Sequence, residues 1–68
     1  MRKVRLTDTG GRKYVVNTDA ILYLREDHLM DEDGEMLSRC TAIIMPDGLR
    51  ISVQSDIDET VEKLGWHV

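Results

Sequence analysis

Cys40-Thr41-Ala42-Ile43-Ile44-Met45-Pro46-Asp47-Gly48-Leu49-Arg50-Ile51-Ser52-Val53 is the stretch that decides the fold. An apolar, partly β-branched run meets Pro-Asp-Gly and then resumes with apolar residues at alternate positions. A period of two puts Leu49, Ile51 and Val53 on one face and Arg50 and Ser52 on the other. Pro46 presets φ for the second position of a turn, and Gly48 suits the left-handed position of a bulged hairpin. The stretch therefore predicts a hairpin with strands over residues 39–46 and 49–54.

Downstream, the signals change to those of a helix over residues 56–64. Ser55 is a good N-cap, with Asp58 three residues on. Asp56, Asp58 and Glu59 crowd the first turn, where the helix dipole favours anions. Ile57, Val61 and Leu64 fall at i, i+4 and i+7 as one apolar stripe. Glu59 and Lys63 make a favourable i,i+4 pair. Gly65 can end the helix in the left-handed region, folding Trp66 back toward Val61.

Upstream, Val4-Arg5-Leu6-Thr7 alternates apolar with polar, and Lys13-Tyr14-Val15-Val16 resumes after Asp8-Thr9-Gly10-Gly11. This predicts a second hairpin, with strands over 2–7 and 12–17. Ala20-Ile21-Leu22-Tyr23-Leu24, set off by Asn17-Thr18-Asp19, predicts a bridging strand over 20–25. As a strand it would pair Leu22 with Leu24 on one face and Ile21 with Tyr23 on the other, and the pattern leaves open which pair meets the core. Residues 26–38 read as an acidic loop or an extra hairpin, with six acids between Glu26 and Glu35 and an Asp33-Gly34 step. The expected architecture is a single α+β domain over residues 1–68. It has a small, mostly antiparallel sheet or partly open barrel of about five strands, with one C-terminal helix.

Composition narrows the classes of function. At 68 residues, a core rarely supplies more than about 3–5 kcal/mol net, and small domains usually add a staple. Cys40 is the one cysteine, so no intrachain disulfide can form. It is joined only by His28 and His67, without metal-ligand spacing. Self-association is the remaining staple, and a homo-oligomer is favoured. No membrane-spanning run and no apolar stretch after Met1-Arg2-Lys3 are present, and with a lone cysteine this predicts a cytoplasmic, bacterial-type protein with no membrane partner.

Residues 1–25 carry six basic and two acidic side chains, whereas residues 26–68 carry three basic and eleven acidic ones. The net charge of −4 thus conceals a positive N-terminal part and a negative remainder. Such polarity can steer a charged partner or draw copies together head to tail.

No arrangement predicts catalysis, a cofactor or a metal. Counting back from Gly34 puts Leu29 at the first position of an EF-hand loop, which demands an acid there. Cys40 lies in an apolar strand rather than beside a positioned base. Gly10-Gly11-Arg12-Lys13 leads into a strand instead of the helix that a phosphate loop requires. Trp66 and Tyr23 suit packing. Five short strands and a helix leave little room for a small-molecule pocket.

Asn17-x-Asp19-x-Ile21-x-x-Leu24-x-Glu26, with Gly11-x-x-Tyr14-x-Val16 before it and Asp47-Gly48-x-x-Ile51-x-Val53-x-Ser55 after it, resembles the small flagellar swarming-motility (FlbD-type) proteins. That resemblance spans Val4 to Leu64 and implies strands followed by a terminal helix. The segment between Glu26 and Gly48 is longer here than in that family. Asp19-x-Ile21-Leu22-Tyr23-Leu24, together with the Asp47-Gly48 hairpin and the helix, is similar to LytTR-type DNA-binding domains, which implies DNA reading from loops on a basic surface.

The residues themselves favour a non-catalytic protein-interaction or assembly module. Its expected surfaces are the basic Arg2, Arg5, Arg12 and Lys13 and the acidic Asp31, Glu32, Asp33 and Glu35. Nucleic acid is the alternative partner, bound by the basic N-terminal hairpin. It is disfavoured because the candidate loop is acidic. A phage or mobile-element accessory role is a further alternative, by analogy alone.

Overall fold

The computed structural model describes residues 2–68. Five strands and a helix form an α+β fold in the order β1 (Lys3–Thr7), β2 (Lys13–Asn17), β3 (Tyr23–Met30), β4 (Met36–Ile44), β5 (Arg50–Val53) and α1 (Ile57–Leu64). The strands divide between two antiparallel sheets and close no barrel. One is a β1–β2 ribbon and the other is three-stranded in the order β3-β4-β5. A backbone bond from Thr9 N to Ser52 O (2.9 Å) ties the ribbon's turn to β5.

All three hairpins turn on the same backbone frame. In Asp8–Arg12, Asp31–Glu35 and Met45–Leu49 the first residue donates its N–H to the carbonyl of the fifth, at 2.9 Å each time. The fourth residue is Gly11, Gly34 or Gly48, with φ of 85°, 80° and 89°, and its N–H returns to the first carbonyl at 3.0–3.1 Å. These are three-residue hairpin loops with glycine at the left-handed position, where a Cβ would be strained. An aspartate side chain braces each one. Asp8 and Asp31 accept from the third and fifth N–H groups, and Asp47 accepts from Leu49 N.

The expected strand over 20–25 forms differently. Asn17 Oδ1 accepts from Asp19 N (3.0 Å) and opens a 3-10 turn, Thr18–Ala20, so that β3 begins only at Tyr23. Alternation therefore breaks between residues 21 and 24. Ile21 and Leu24 meet the core, while Leu22 and Tyr23 are exposed. Neither of the pairs that a continuous strand would create shares a face.

Segment 26–38 takes the hairpin alternative rather than the loop, continuous with the strands on either side of it. It is the distal half of one long hairpin, in which β3 and β4 pair from Tyr23↔Ile44 out to Met30↔Met36 with a bulge near the end. β5 pairs only with Thr41–Ile44. Beyond Thr41 no third strand pairs with them, and at about 3.4 Å per residue they run on as an arm about 15 Å long. The molecule is accordingly elongated, 42 × 23 × 18 Å.

The core lies where the ribbon and the helix meet the inner face of the three-stranded sheet. Leu6, Val16, Ile21, Ile43, Ile51, Val53 and Leu64 form it, with Val4, Tyr14, Leu24, Met45 and Trp66 around the rim. Helix α1 is capped by Asp56, not Ser55, as the Asp56 carboxylate accepts from Glu59 N at 2.8 Å. Ser55 instead bonds Thr60 Oγ1 at 2.9 Å. Gly65 (φ 74°) ends the helix, and Trp66 N donates to Val61 O.

Candidate functional site

The outer face of the β1–β2 ribbon gathers charge of one sign. The register pairs Lys3 with Asn17, Arg5 with Val15 and Thr7 with Lys13, and these alternate with the inward pairs Val4–Val16 and Leu6–Tyr14. Lys3, Arg5 and Lys13 are exposed on one side, and Val15 stands among them with 62% of its surface free. The ribbon also carries a shallow, open depression rather than an enclosed pocket. A concavity of about 300 Å³ lies along the ribbon, lined by Arg5, Leu6, Thr7, Lys13, Tyr14 and Val15.

Arg2 and Arg12 are placed differently. Arg2 precedes β1, its carbonyl accepts from Thr18 N (3.0 Å), and its guanidinium lies over the helix end at Gly65. Arg12 belongs to the ribbon's turn, where its N–H donates to Asp8 Oδ1 at 2.8 Å. Gly10 N donates to the same oxygen at 2.9 Å. The N–H groups that a phosphate would need are therefore already taken, those of Gly10 and Arg12 by the Asp8 carboxylate and that of Gly11 by the Asp8 carbonyl.

The acidic residues gather at the far end of the arm. Asp31 is committed to its turn, accepting from Asp33 N and Glu35 N at 3.0 and 2.8 Å. Glu32, Asp33 and Glu35 are exposed around it. Beside them stand three exposed apolar side chains. Met30 and Met36 are 55% exposed and Leu37 66%. Nothing in local patterning distinguishes them from core residues, because their exposure follows from the arm's extending past β5.

Among the described residues neither the ribbon's bases nor the tip's acids form an ion pair. Among the described residues one ion pair lies within 4.0 Å, Arg39 with Glu26 on the arm's flank, and an exposed pair of that kind contributes little. Among the same residues no three His, Cys, Asp or Glu side chains converge as metal ligands.

Cys40 is buried in β4 opposite Asp27. Burial, then the nearby Asp27 charge, raise its pKa above the ordinary 9.0, against a smaller lowering by Arg50. His28 follows Asp27 and so projects from the other face of the hairpin, while His67 is exposed beyond α1. The thiol thus lacks both the low pKa and the adjacent base of a nucleophile. No helix among the described residues is long and apolar enough to cross a membrane. No family model, curated protein or solved structure matches the chain.

Proposed function

We propose that this chain is a non-catalytic protein-interaction or assembly module that works through the end of its arm and the outer face of its ribbon. The observation that carries this reading is the exposure of Met30, Met36 and Leu37 at the end of an arm that runs on past β5. A two-stranded ribbon is marginally stable alone. Keeping three large apolar side chains on its end costs solubility, a cost that an interaction surface offsets. The buried thiol, the separated histidines and the turn-committed Asp8 and Asp31 support a role without catalysis.

The test is a comparison of wild type with a tip variant, Met36→Ser/Leu37→Ser, in sedimentation at several concentrations and in capture from native lysate. Association with itself or with a stoichiometric partner, lost in the variant, is the expected result. A strict monomer that captures nothing in a tip-dependent way would sink the reading.

The shared face of Lys3, Arg5 and Lys13 supports a second reading, a nucleic-acid binder that uses the ribbon. Phosphate contacts are strongest at low salt. Absence of binding to mixed-sequence DNA at about 50 mM salt removes this alternative.

A further inference from the structure

We infer that the partner of the arm is a second copy of this chain, whose β1–β2 recess receives it, so that copies associate head to tail. This rests on the reading of the protein as an interaction module and names the partner. Two surfaces, whose charges are unpaired among the described residues, are complementary in both charge and polarity. The arm ends in Met30, Met36 and Leu37, surrounded by the exposed acids Glu32, Asp33 and Glu35. The recess of about 300 Å³ has Tyr14, Leu6 and the exposed Val15 in its lining, with Arg5 and Lys13 as its charged members. That volume is at the small end of ordinary binding cavities, about 300–1,000 Å³, and suits a side chain such as Leu37 or Met36 rather than an extended ligand.

Neither set of charges has a partner within 4.0 Å among the described residues, since the one ion pair found involves Arg39 and Glu26. Within one molecule the two surfaces cannot meet, because the arm extends away from the body that carries the ribbon. Between molecules, apolar side chains enter an apolar recess while acids come to rest beside bases. Opposite charge at the rim speeds encounter and fixes orientation, and the buried apolar centre supplies affinity.

The contact uses different patches on the two partners, so it is heterologous. A pair so joined still offers one free arm at one end and one free recess at the other, and growth continues unless the rotation closes a ring.

The experiment mixes two variants, both altered only at exposed positions and checked for an unchanged circular dichroism spectrum. The tip variant is Met36→Ser/Leu37→Ser and the ribbon variant is Arg5→Glu/Lys13→Glu. Sedimentation of wild type is expected to show mass that rises with concentration and falls as salt increases. Each variant alone associates at least about tenfold more weakly. An equimolar mixture restores association but stops at a heterodimer, because only one intact arm and one intact recess can meet.

Three results overturn the inference. One is a ribbon variant that associates as wild type does, which assigns the contact to arm against arm. Another is a mixture that stays monomeric. The third is a wild type that stays monomeric at every concentration, including the case where Arg5 and Lys13 bind DNA instead. In the last case the interaction-module reading still stands or falls separately, on tip-dependent capture of a different protein.

Discussion

Asp31 and Glu35 close the end of the arm by two bonds of opposite sense. Asp31 N donates to Glu35 O at 2.9 Å, and Glu35 N donates to Asp31 Oδ1 at 2.8 Å. Asp8 and Arg12 repeat the arrangement at the ribbon's turn, at 2.9 and 2.8 Å. The same local chemistry therefore sits in two tertiary settings. The Asp8 turn is tied to β5 through Thr9 N and Ser52 O, whereas the Asp31 turn ends a free arm.

That difference predicts different consequences for the same substitution. Replacing either aspartate by alanine removes an acceptor from two N–H groups and costs about 1 kcal/mol. For Asp8→Ala the loss is expected in global stability, as a lower urea midpoint. For Asp31→Ala it is expected as local opening, with arm amides exchanging about fivefold faster and the midpoint nearly unchanged. Equal midpoint shifts would mean that the arm unfolds only together with the body.

Legibility followed the range of the forces involved. The turn at Pro46-Asp47-Gly48 and the helix end at Gly65 are local, and the residues that form them announce them. The shift of the cap from Ser55 to Asp56 is not local. Both residues can cap, and the choice is made by Thr41 and Thr60, which engage Ser55 through its carbonyl and its hydroxyl. Asn17 likewise diverts residues 18–20 into a 3-10 turn that apolar patterning cannot register. Of the candidate site, the shared face of Arg5 and Lys13 follows from the period of two. The recess beside them and the exposure of Met30, Met36 and Leu37 depend on how far β5 reaches along β4, which no local pattern encodes.

The hydroxyl cluster under α1 supports a second prediction. Thr60 has one hydroxyl proton, and the Asp56 carbonyl at 2.7 Å can only accept it, so Ser55 must donate in its bond to Thr60. Thr41 Oγ1 donates to Ser55 O at 2.9 Å from a fully buried position. Thr41→Val strands that carbonyl and is expected to cost about 1–2 kcal/mol. Thr60→Val should cost less than about 1 kcal/mol, because Thr60 N still pairs with Asp56 O and Ser55 can turn to water. Denaturant titration of both variants checks the order, and the reverse order would contradict this assignment of donors.

Cys40 makes stability sensitive to alkali. Its folded-state pKa is raised, first by burial and then by Asp27, above the ordinary 9.0. Below 9.0 the thiol is protonated in both states and its contribution is fully present. As pH rises through that value the unfolded chain ionises first and binds fewer protons, so stability falls. Urea midpoints measured from neutral to alkaline pH should therefore decline more steeply in wild type than in Cys40→Ala. Parallel profiles would remove Cys40 as the cause.

Gly65 gives a prediction that separates backbone from contact. Its φ of 74° is one that L side chains adopt at a cost, and a Cβ there would also stand 3.1 Å from Arg2 Nη1. The guanidinium is the far end of a flexible, exposed side chain and can move aside, so the backbone term should dominate. Gly65→Ala is expected to cost about 1–2 kcal/mol, lowering Tm by several degrees in a domain of this size. Gly65→Asn should cost less, since asparagine tolerates the left-handed region. A double-mutant cycle decides between the two causes. If the backbone dominates, Arg2→Ala leaves the cost of Gly65→Ala unchanged; recovery of most of the lost stability in the double variant would place the cost in the contact with Arg2 instead.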